Sequence, residues 1–413
     1  FCRIPVYSLP ANLVMVPLYA LIVMPAGLLA EVLALTGLET LAGALMQLSG
    51  LAIKTGLNIL IAISELPAGQ LWATQPPLWL GLLYMAGMLF SGWLLFINRR
   101  LKAAACSVLV LMAYLGFVLT EASIPAPRWV VWDVGQGAAS TLLLPDKQVI
   151  VVDVPGRAGS RFNGGTTVAA GLRHLGLTHV DILILSHAQS DHLGGAISLM
   201  QNLNKIGQIW LPDVPSARQH QRVKAVVSYA QQRGISIRWL ARGDHIALAG
   251  EGRANTSLTV LWPPRSFDPS NTNNTSLVFA VHLAHRTHQT RLLWPGDIEV
   301  AAEKALISAQ LGKTDLMLIP HHGSRSSSHA AFIQAVQPSL AIAQTGYANH
   351  YGFPKDDVVA RYQNIGAEIY NTANGALQLR WPDDGNKSAV EVQQWQADSS
   401  SRREWARNWY QSL

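Results

Sequence analysis

"ILSHAQSDHLGG", Ile184 to Gly195, carries an apolar run directly into a loop that holds His187, Asp191 and His192. A divalent cation needs imidazoles and carboxylates converging within a few ångströms, and His-x3-Asp-His supplies three donors from six residues. The apolar run Val180–Ser186 reads as a buried strand, so the loop side chains project from a sheet edge that a substrate can reach. Gly194 and Gly195 leave room for close backbone approach where a helix, predicted over 194–203, begins. Gln189 occupies the slot where such a loop usually carries another strong ligand, and an amide oxygen is a much poorer donor than a carboxylate. A chance surface loop is the competing reading, because short motifs arise by accident.

Working outward, further strand ends carry polar groups of the same kind. "RLLWPGDIE" places Asp297 just past an apolar strand, where a carboxylate can bridge two cations. "DLMLIPHHGSRSS" ends a strand on His321 and His322, and "YANHYGFP" follows the strand "SLAIAQTG" and brings His350. Taken singly, Gly296-Asp297 also reads as a turn, His350 as a surface histidine, and His321/His322 as a loop cap. Together, strand-end groups at four places along an α/β chain converge on one rim more readily than scattered surface residues do. Upstream, "RWVVWDVGQGAASTLLLPDKQVIVVDVPG" reads as a meander of three strands, and residues 166–175 as a helix. Strands alternating with helices after a meander predict sheets with helices packed outside them.

The charge distribution separates this part from the rest. Residues 1–127 hold five Lys/Arg and four Asp/Glu, leaving 26 and 21 for 128–413, where all 13 histidines also lie. Leu78–Ile97 and Ala103–Thr120 are uncharged runs of 20 and 18 residues, close to the ~20 that cross a hydrocarbon core. They are expected to span a membrane; buried helices of a soluble core are the alternative. The intervening Asn98–Lys102 carries three positive charges, which the positive-inside bias puts in the cytoplasm and the histidine-rich part outside it. Residues 6–30 are uncharged but interrupted by Pro17 and Pro25, which predicts a kinked or re-entrant helix. Gln47, Lys54, Asn58 and Glu65 form a polar stripe on an apolar helix over 41–66, suited to an interface or to lining a conduit. The chain opens on Phe1 rather than Met, and a longer protein with residues upstream is expected. Both cysteines, Cys2 and Cys106, precede residue 128, so a metal in the later part must use His, carboxylate or amide ligands.

In order, "ANLVMVPLYALIVMPAGLL", "WDVGQGAAS", "SHAQSDHLGG", "NNTSLVFAV", "WPGDIE", "IPHHGSRSS" and "NHYGFP" resemble the ComEC family of DNA-internalisation competence proteins over nearly the whole chain. The resemblance implies a transmembrane α-helical segment followed by an α/β metallo-β-lactamase fold, an αββα sandwich. Residues 1–122 would be the end of a multi-pass membrane competence domain, 123–127 a linker, 128–395 the metallo-β-lactamase-like domain, and 396–413 a polar tail. That tail is expected to be a frayed surface helix, with an Arg/Trp contact to nucleic acid as the alternative. The implied function is single-strand DNA uptake across the inner membrane, with the outer domain, periplasmic or otherwise extracytoplasmic, cutting the strand that does not enter. Implied partners are DNA, membrane lipid and other competence machinery proteins.

The resemblance assigns His187, Gln189, Asp191, His192, Asp297 and His321 to divalent metal ions, Zn or Mn. Asp297 would be the bridging carboxylate, Asp191 and His322 the catalytic residues, and the His321/His322 pair a source of the leaving-group acid. The family has Asp where this chain has Gln189 and Ala138, and His where it has Phe353. Each metal position therefore stands to lose a ligand, with His350 as a substitute. Three readings follow: an uptake channel with an active nuclease domain, the same channel with a weakened or inactive DNA-guiding domain, and a membrane-anchored hydrolase of a small substrate. The proline-broken and striped helices argue against the third, since an anchor needs one plain helix.

Overall fold

The computed structural model describes residues 3–64, 66, 70–72, 78–119, 127–144, 146–157, 163–248, 256–265, 267, 269, 271–285, 288–309, 311–381 and 390–395. The expected tail 396–413 and nearly all of the linker lie outside them. The chain forms two compact units, Phe1–Leu119 and Thr120–Leu413.

Among the described residues, the regular elements of the first unit are helices apart from a short antiparallel pair, β1 (Arg3–Pro5) with β2 (Gln70–Trp72). Helix α1 (Ser8–Leu18) passes through a π turn, Tyr19–Val23, into α2 (Met24–Leu35). Pro17 and Pro25 flank that turn and lack the N–H a regular helix would use, and Met24 N–H bonds Tyr19 O five residues back. The prolines thus widen one turn of a continuous helix. Helix α3 (Glu39–Ser64) packs along the whole α1–α2 run and buries its small residues Ala42, Ser49, Ala52 and Gly56, with Ser49 Oγ donating to Val23 O of the π turn at 3.3 Å and Gly56 facing Met15 and Leu18 of α1. Gln47, Lys54 and Asn58 lie on the exposed side, so small size selects the packing face; Glu65 falls outside the described residues. Helices α4 (Leu78–Phe96) and α5 (Arg100–Leu119) form a hairpin in which buried Ser91 donates to Ala103 O at 2.8 Å. Four helical runs among the described residues are long and apolar enough to cross a membrane: Ser8–Leu35, Glu39–Ser64, Leu78–Phe96 and Arg100–Phe117.

In the second unit the predicted meander is β3 (Arg128–Val131), β4 (Ser140–Leu143) and β5 (Val149–Val152), antiparallel throughout. After α6 (Gly164–His174), the sheet continues through β6 (His179–Ile184), β7 (Lys205–Pro212) and β8 (Ser236–Leu240), each parallel to the strand before. Short helices α7 (Ser190–Leu193) and α8 (Ala196–Gln201) follow β6, and α9 (Pro215–Gln219) and α10 (Gln221–Gln232) follow β7. The helix expected over 194–203 is α8, and the ligand loop ahead of it carries a helical turn of its own, α7, with a break between the two. The break falls at Gly194-Gly195, where a Cβ on Gly194 would overlap Gly156 O and one on Gly195 would overlap Pro155 O.

The second sheet contains β9 (His245–Ala247), β10 (Ser257–Trp262), β11 (Val278–His285) and β12 (His288–Trp294), then parallel strands β13 (Leu316–Leu318), β14 (Leu340–Ala343) and β15 (Glu368–Asn371). Helices α11 (Val300–Ser308), α12 (Ala330–Val336) and α13 (Asp356–Gln363) cover its outer face. Strands β16 (Leu377–Arg380) and β17 (Glu391–Gln394) close the first sheet beside β3.

Alternation along the strands makes three apolar layers. Trp129 and Val131 of β3, with Ile150 and Val152 of β5, meet Phe279 and Trp294 between the sheets, and the Trp129 and Trp294 rings are 4.8 Å apart. Val130, Val149 and Val151 face the other way, toward α6 and α10. Sheets covered on both faces explain why these strands read as unbroken hydrophobic runs. The order helix, sheet, sheet, helix is the expected αββα sandwich.

Candidate metal centre

Strands β5, β6, β12, β13 and β14 deliver their C-terminal ends to one edge of the sandwich, where polar residues replace the apolar runs. Asp191, His192, Asp297 and His322 meet there, each offering a ligand atom within 4.8 Å of the others. His192 Nε2 lies 3.0 Å from Asp297 Oδ1, and His322 Nε2 is 3.5 Å from both Asp191 Oδ2 and Asp297 Oδ2.

The rings are held from behind. His192 Nδ1 donates to Asp153 Oδ2 at 2.8 Å, which leaves Nε2 turned to the cluster. Asp153, directly after β5, also accepts from Ser186 N and Ser186 Oγ, both at 2.7 Å. His322 Nδ1 donates to Gln344 O at 2.7 Å, and Gln344 donates across the sandwich to Ala139 O at 3.0 Å. Such backing contacts fix the tautomer and raise the basicity of a ligating imidazole. His321 and His322 have φ of 48° and 56°, a left-handed stretch costing about 1–3 kcal/mol per residue, and it sends the rings different ways. His322 is buried in the cluster. His321 stays on the rim with 20% of its side chain exposed, Nδ1 3.0 Å from Ser326 Oγ and Nε2 4.0 Å from Asp297 Oδ2.

The chemistry of these groups suits a cation. His192 Nε2, His322 Nε2, Asp297 Oδ2 and His187 Nε2 are buried without a hydrogen-bond partner, although such atoms are ordinarily paired. Without a cation, protons take its place. Burial alone would lower His192, but Asp297 and Asp153 outweigh it and hold the imidazole well above its ordinary pKa. His322 is also raised against burial, chiefly by Asp297 and the Asp191 contact. Burial would raise Asp297, yet His192 and His322 hold it well below the usual carboxylate range, and the same two histidines outweigh burial at Asp191. Burial and nearby His192 push His187 down to about 4, so it is a neutral imidazole at neutral pH. Two histidines and two carboxylates fit Zn or Mn.

Other expected residues are placed elsewhere. His187 adjoins the cluster, with its ring centroid 4.2 Å from that of His192 and its Nδ1 near Ser186 Oγ and Ser276 Oγ at 3.1 and 3.2 Å. Gln189 turns away and donates to Asn273 Oδ1, joining a network in which Asn273 and Asn271 donate to Glu299 at 3.0 and 2.7 Å. His350 is exposed and lies over Tyr351, with ring centroids 3.8 Å apart, so it does not reach the cluster. Phe353 sets its ring against His321 at 6.2 Å. Ala138 lines a cavity of about 20 Å³ beside His192 and Asp297, room for about one water. Asp153 and Ser276 carry no expectation from the sequence reading. "VIVVDV" ends a strand on a carboxylate just as "LLWPGD" does, and the same rule would have found Asp153.

The family described as "Competence protein" matches residues 1–97, and the "Beta-lactamase superfamily domain" matches 160–348. The chain is 24% identical over 402 residues to ComE operon protein 3 of Bacillus subtilis, covering 92% of this chain and 49% of that protein. It is 27% identical over 394 residues to competence protein ComA of Neisseria gonorrhoeae, covering 92% and 48%. Among solved structures, a β-lactamase from Chitinophaga pinensis is 16% identical with a TM-score of 0.33, covering 60% of this chain and 96% of that one. The protein thus joins a competence-type membrane segment to a β-lactamase-superfamily domain. Over most of its length the chain is similar to competence proteins, and it spans about half the length of the curated relatives it matches.

Proposed function

We propose that this chain serves DNA uptake across the cytoplasmic membrane. On this reading the helical unit forms part of a single-strand channel, and the sandwich, outside the cytoplasm, holds one divalent metal and hydrolyses phosphodiesters of the strand left behind. The supporting observation is the convergence of Asp191, His192, Asp297 and His322, with His192 Nε2, His322 Nε2 and Asp297 Oδ2 buried and unpartnered. Three positive charges at the turn from α4 into α5, Arg99, Arg100 and Lys102, support the orientation. A dication in this cluster supplies Lewis acidity toward a phosphoryl oxygen and a more acidic water. The protein's own groups complete the hydrolysis. Asp191, with 32% of its side chain exposed, takes the proton of the attacking water as the new P–O bond forms. His321 Nε2, on the rim, gives a proton to the oxygen that leaves.

The second reading, a channel with a DNA-guiding sandwich, is favoured by the turned-away Gln189 and the phenyl ring of Phe353, which deplete the other metal position. Metal content and DNA cleavage of the full chain in lipid nanodiscs separate the two. The nuclease reading expects about one Mn or Zn per chain and cleavage that disappears in Asp297→Asn and His192→Ala. One metal without cleavage of any DNA supports the guide, and a metal-free wild type after loading refutes a working centre.

A further inference from the structure

A groove of about 510 Å³ runs along the side of α7 away from the metal cluster. Ser190, Leu193 and Gly194 form its inner wall, while Asp191 and His192 of the same short helix face the cluster, so a single turn of chain separates the two. Gly156 N bonds Ser190 O at 2.9 Å and ties the loop carrying Arg157 to this wall. The opposite wall is α10, whose Arg222, Ala225 and Val226, at i, i+3 and i+4, share one face. The groove is thus lined by two exposed arginines, Arg157 and Arg222, from two elements, together with buried Leu193 and Val226 and half-buried Ile197. No carboxylate lines it among the described residues.

We infer that this groove takes a stretch of polynucleotide beside the metal cluster, Arg157 and Arg222 binding the phosphates and the apolar lining receiving a base or sugar face. The chemistry favours this occupant over a small anion, because arginines contributed by two different elements suit phosphates repeating along a strand and the apolar lining suits a base or sugar between them. Positive residues on the rim also suit a unit whose net charge from 128 to 413 is +5. The inference rests on the reading that the sandwich acts on DNA, and it adds which residues position the strand.

The test uses the full chain in phosphatidylcholine nanodiscs and a fluorescent oligothymidylate, with affinity measured by anisotropy at several salt concentrations. The Arg157→Ala/Arg222→Ala variant is expected to bind about tenfold more weakly and to lose about 1.4 from the salt slope, roughly 0.7 per single-strand phosphate contact. Lys224→Ala, on α10 but not lining the groove, should bind as the wild type does. Hydrogen exchange over 221–232 should slow when oligonucleotide is added to the wild type and stay unchanged in the double variant. Bound metal, which neither arginine touches, reports that the fold and cluster are intact. Double-variant affinity within twofold of wild type, together with no slowing over 221–232 in the wild type, overturns the groove assignment while leaving a metal-bearing nuclease standing. A wild type that binds metal but no oligonucleotide overturns both.

Discussion

Asp153→Asn probes the centre where its geometry is most exacting. The Asp153 carboxylate is buried and accepts from Ser186 N, Ser186 Oγ and His192 Nδ1 at 2.7, 2.7 and 2.8 Å. An asparagine keeps one acceptor oxygen, which the Ser186 amide can retain, and sets an NH2 against His192 Nδ1. Imidazole then places its proton on Nε2, and the lone pair facing Asp297 is lost. Removing the partner behind a ligating histidine typically costs 10–100-fold in metal affinity, about 1.4–2.7 kcal/mol. The lost charge-assisted bonds should lower the stability of the metal-free chain by about 1.5–3 kcal/mol. Chelator competition at pH 7 reads the first quantity and thermal melting in EDTA the second. An Asp153→Asn variant that binds metal within twofold of wild type, with an unchanged melt, would refute the role given to Asp153.

Four further outcomes are expected. In the metal-free chain, the depressed Asp191 and Asp297 contribute stability that is present above 3.8 and lost as pH falls below it, while the raised His192 and His322 contribute stability that is complete below 6.5 and lost as pH climbs through their higher folded values. Melts in EDTA should therefore decline above about pH 6.5, and Mn or Zn at about 100 times its Kd should restore about 2.7 kcal/mol. Burial raises Glu303 from 4.5 to about 7, although its carboxyl accepts from Ser328 N and from His329 N at 2.9 Å; its contribution is complete below 4.5 and falls by about 3 kcal/mol as pH rises to 7, so Glu303→Gln should lose that slope in a difference of melts. Gly194→Ala drives a Cβ into Gly156 O and should cost about 3 kcal/mol or more in denaturant unfolding. Gln189→Asp with Phe353→His should raise bound metal from one to two ions per chain by elemental analysis, and a count unchanged at one would mean that the Asn273–Glu299 network keeps residue 189 out of the centre.

Much of this was legible in the chain itself. Long uncharged runs, strands buried on both faces, and polar residues at strand ends are local patterns, set by the solvent each segment must face, and they outlined helices long and apolar enough to cross a membrane, sheets with helices outside them, and Asp191, His192, Asp297 and His322. Folding decided what depends on distant groups meeting. Asp153 became the brace of His192 only when β5 and β6 paired, and Gln189 was drawn to Asn273 by the other sheet. The left-handed backbone through His321 and His322 separated two identical side chains into a rim residue and a buried donor. Small residues chose the packing face of α3 and left the described members of its polar stripe, Gln47, Lys54 and Asn58, on the exposed side. A residue type limits which chemistry is available, but which groups share a cavity is set by sheet pairing and packing across the sandwich, and no window of sequence contains those contacts.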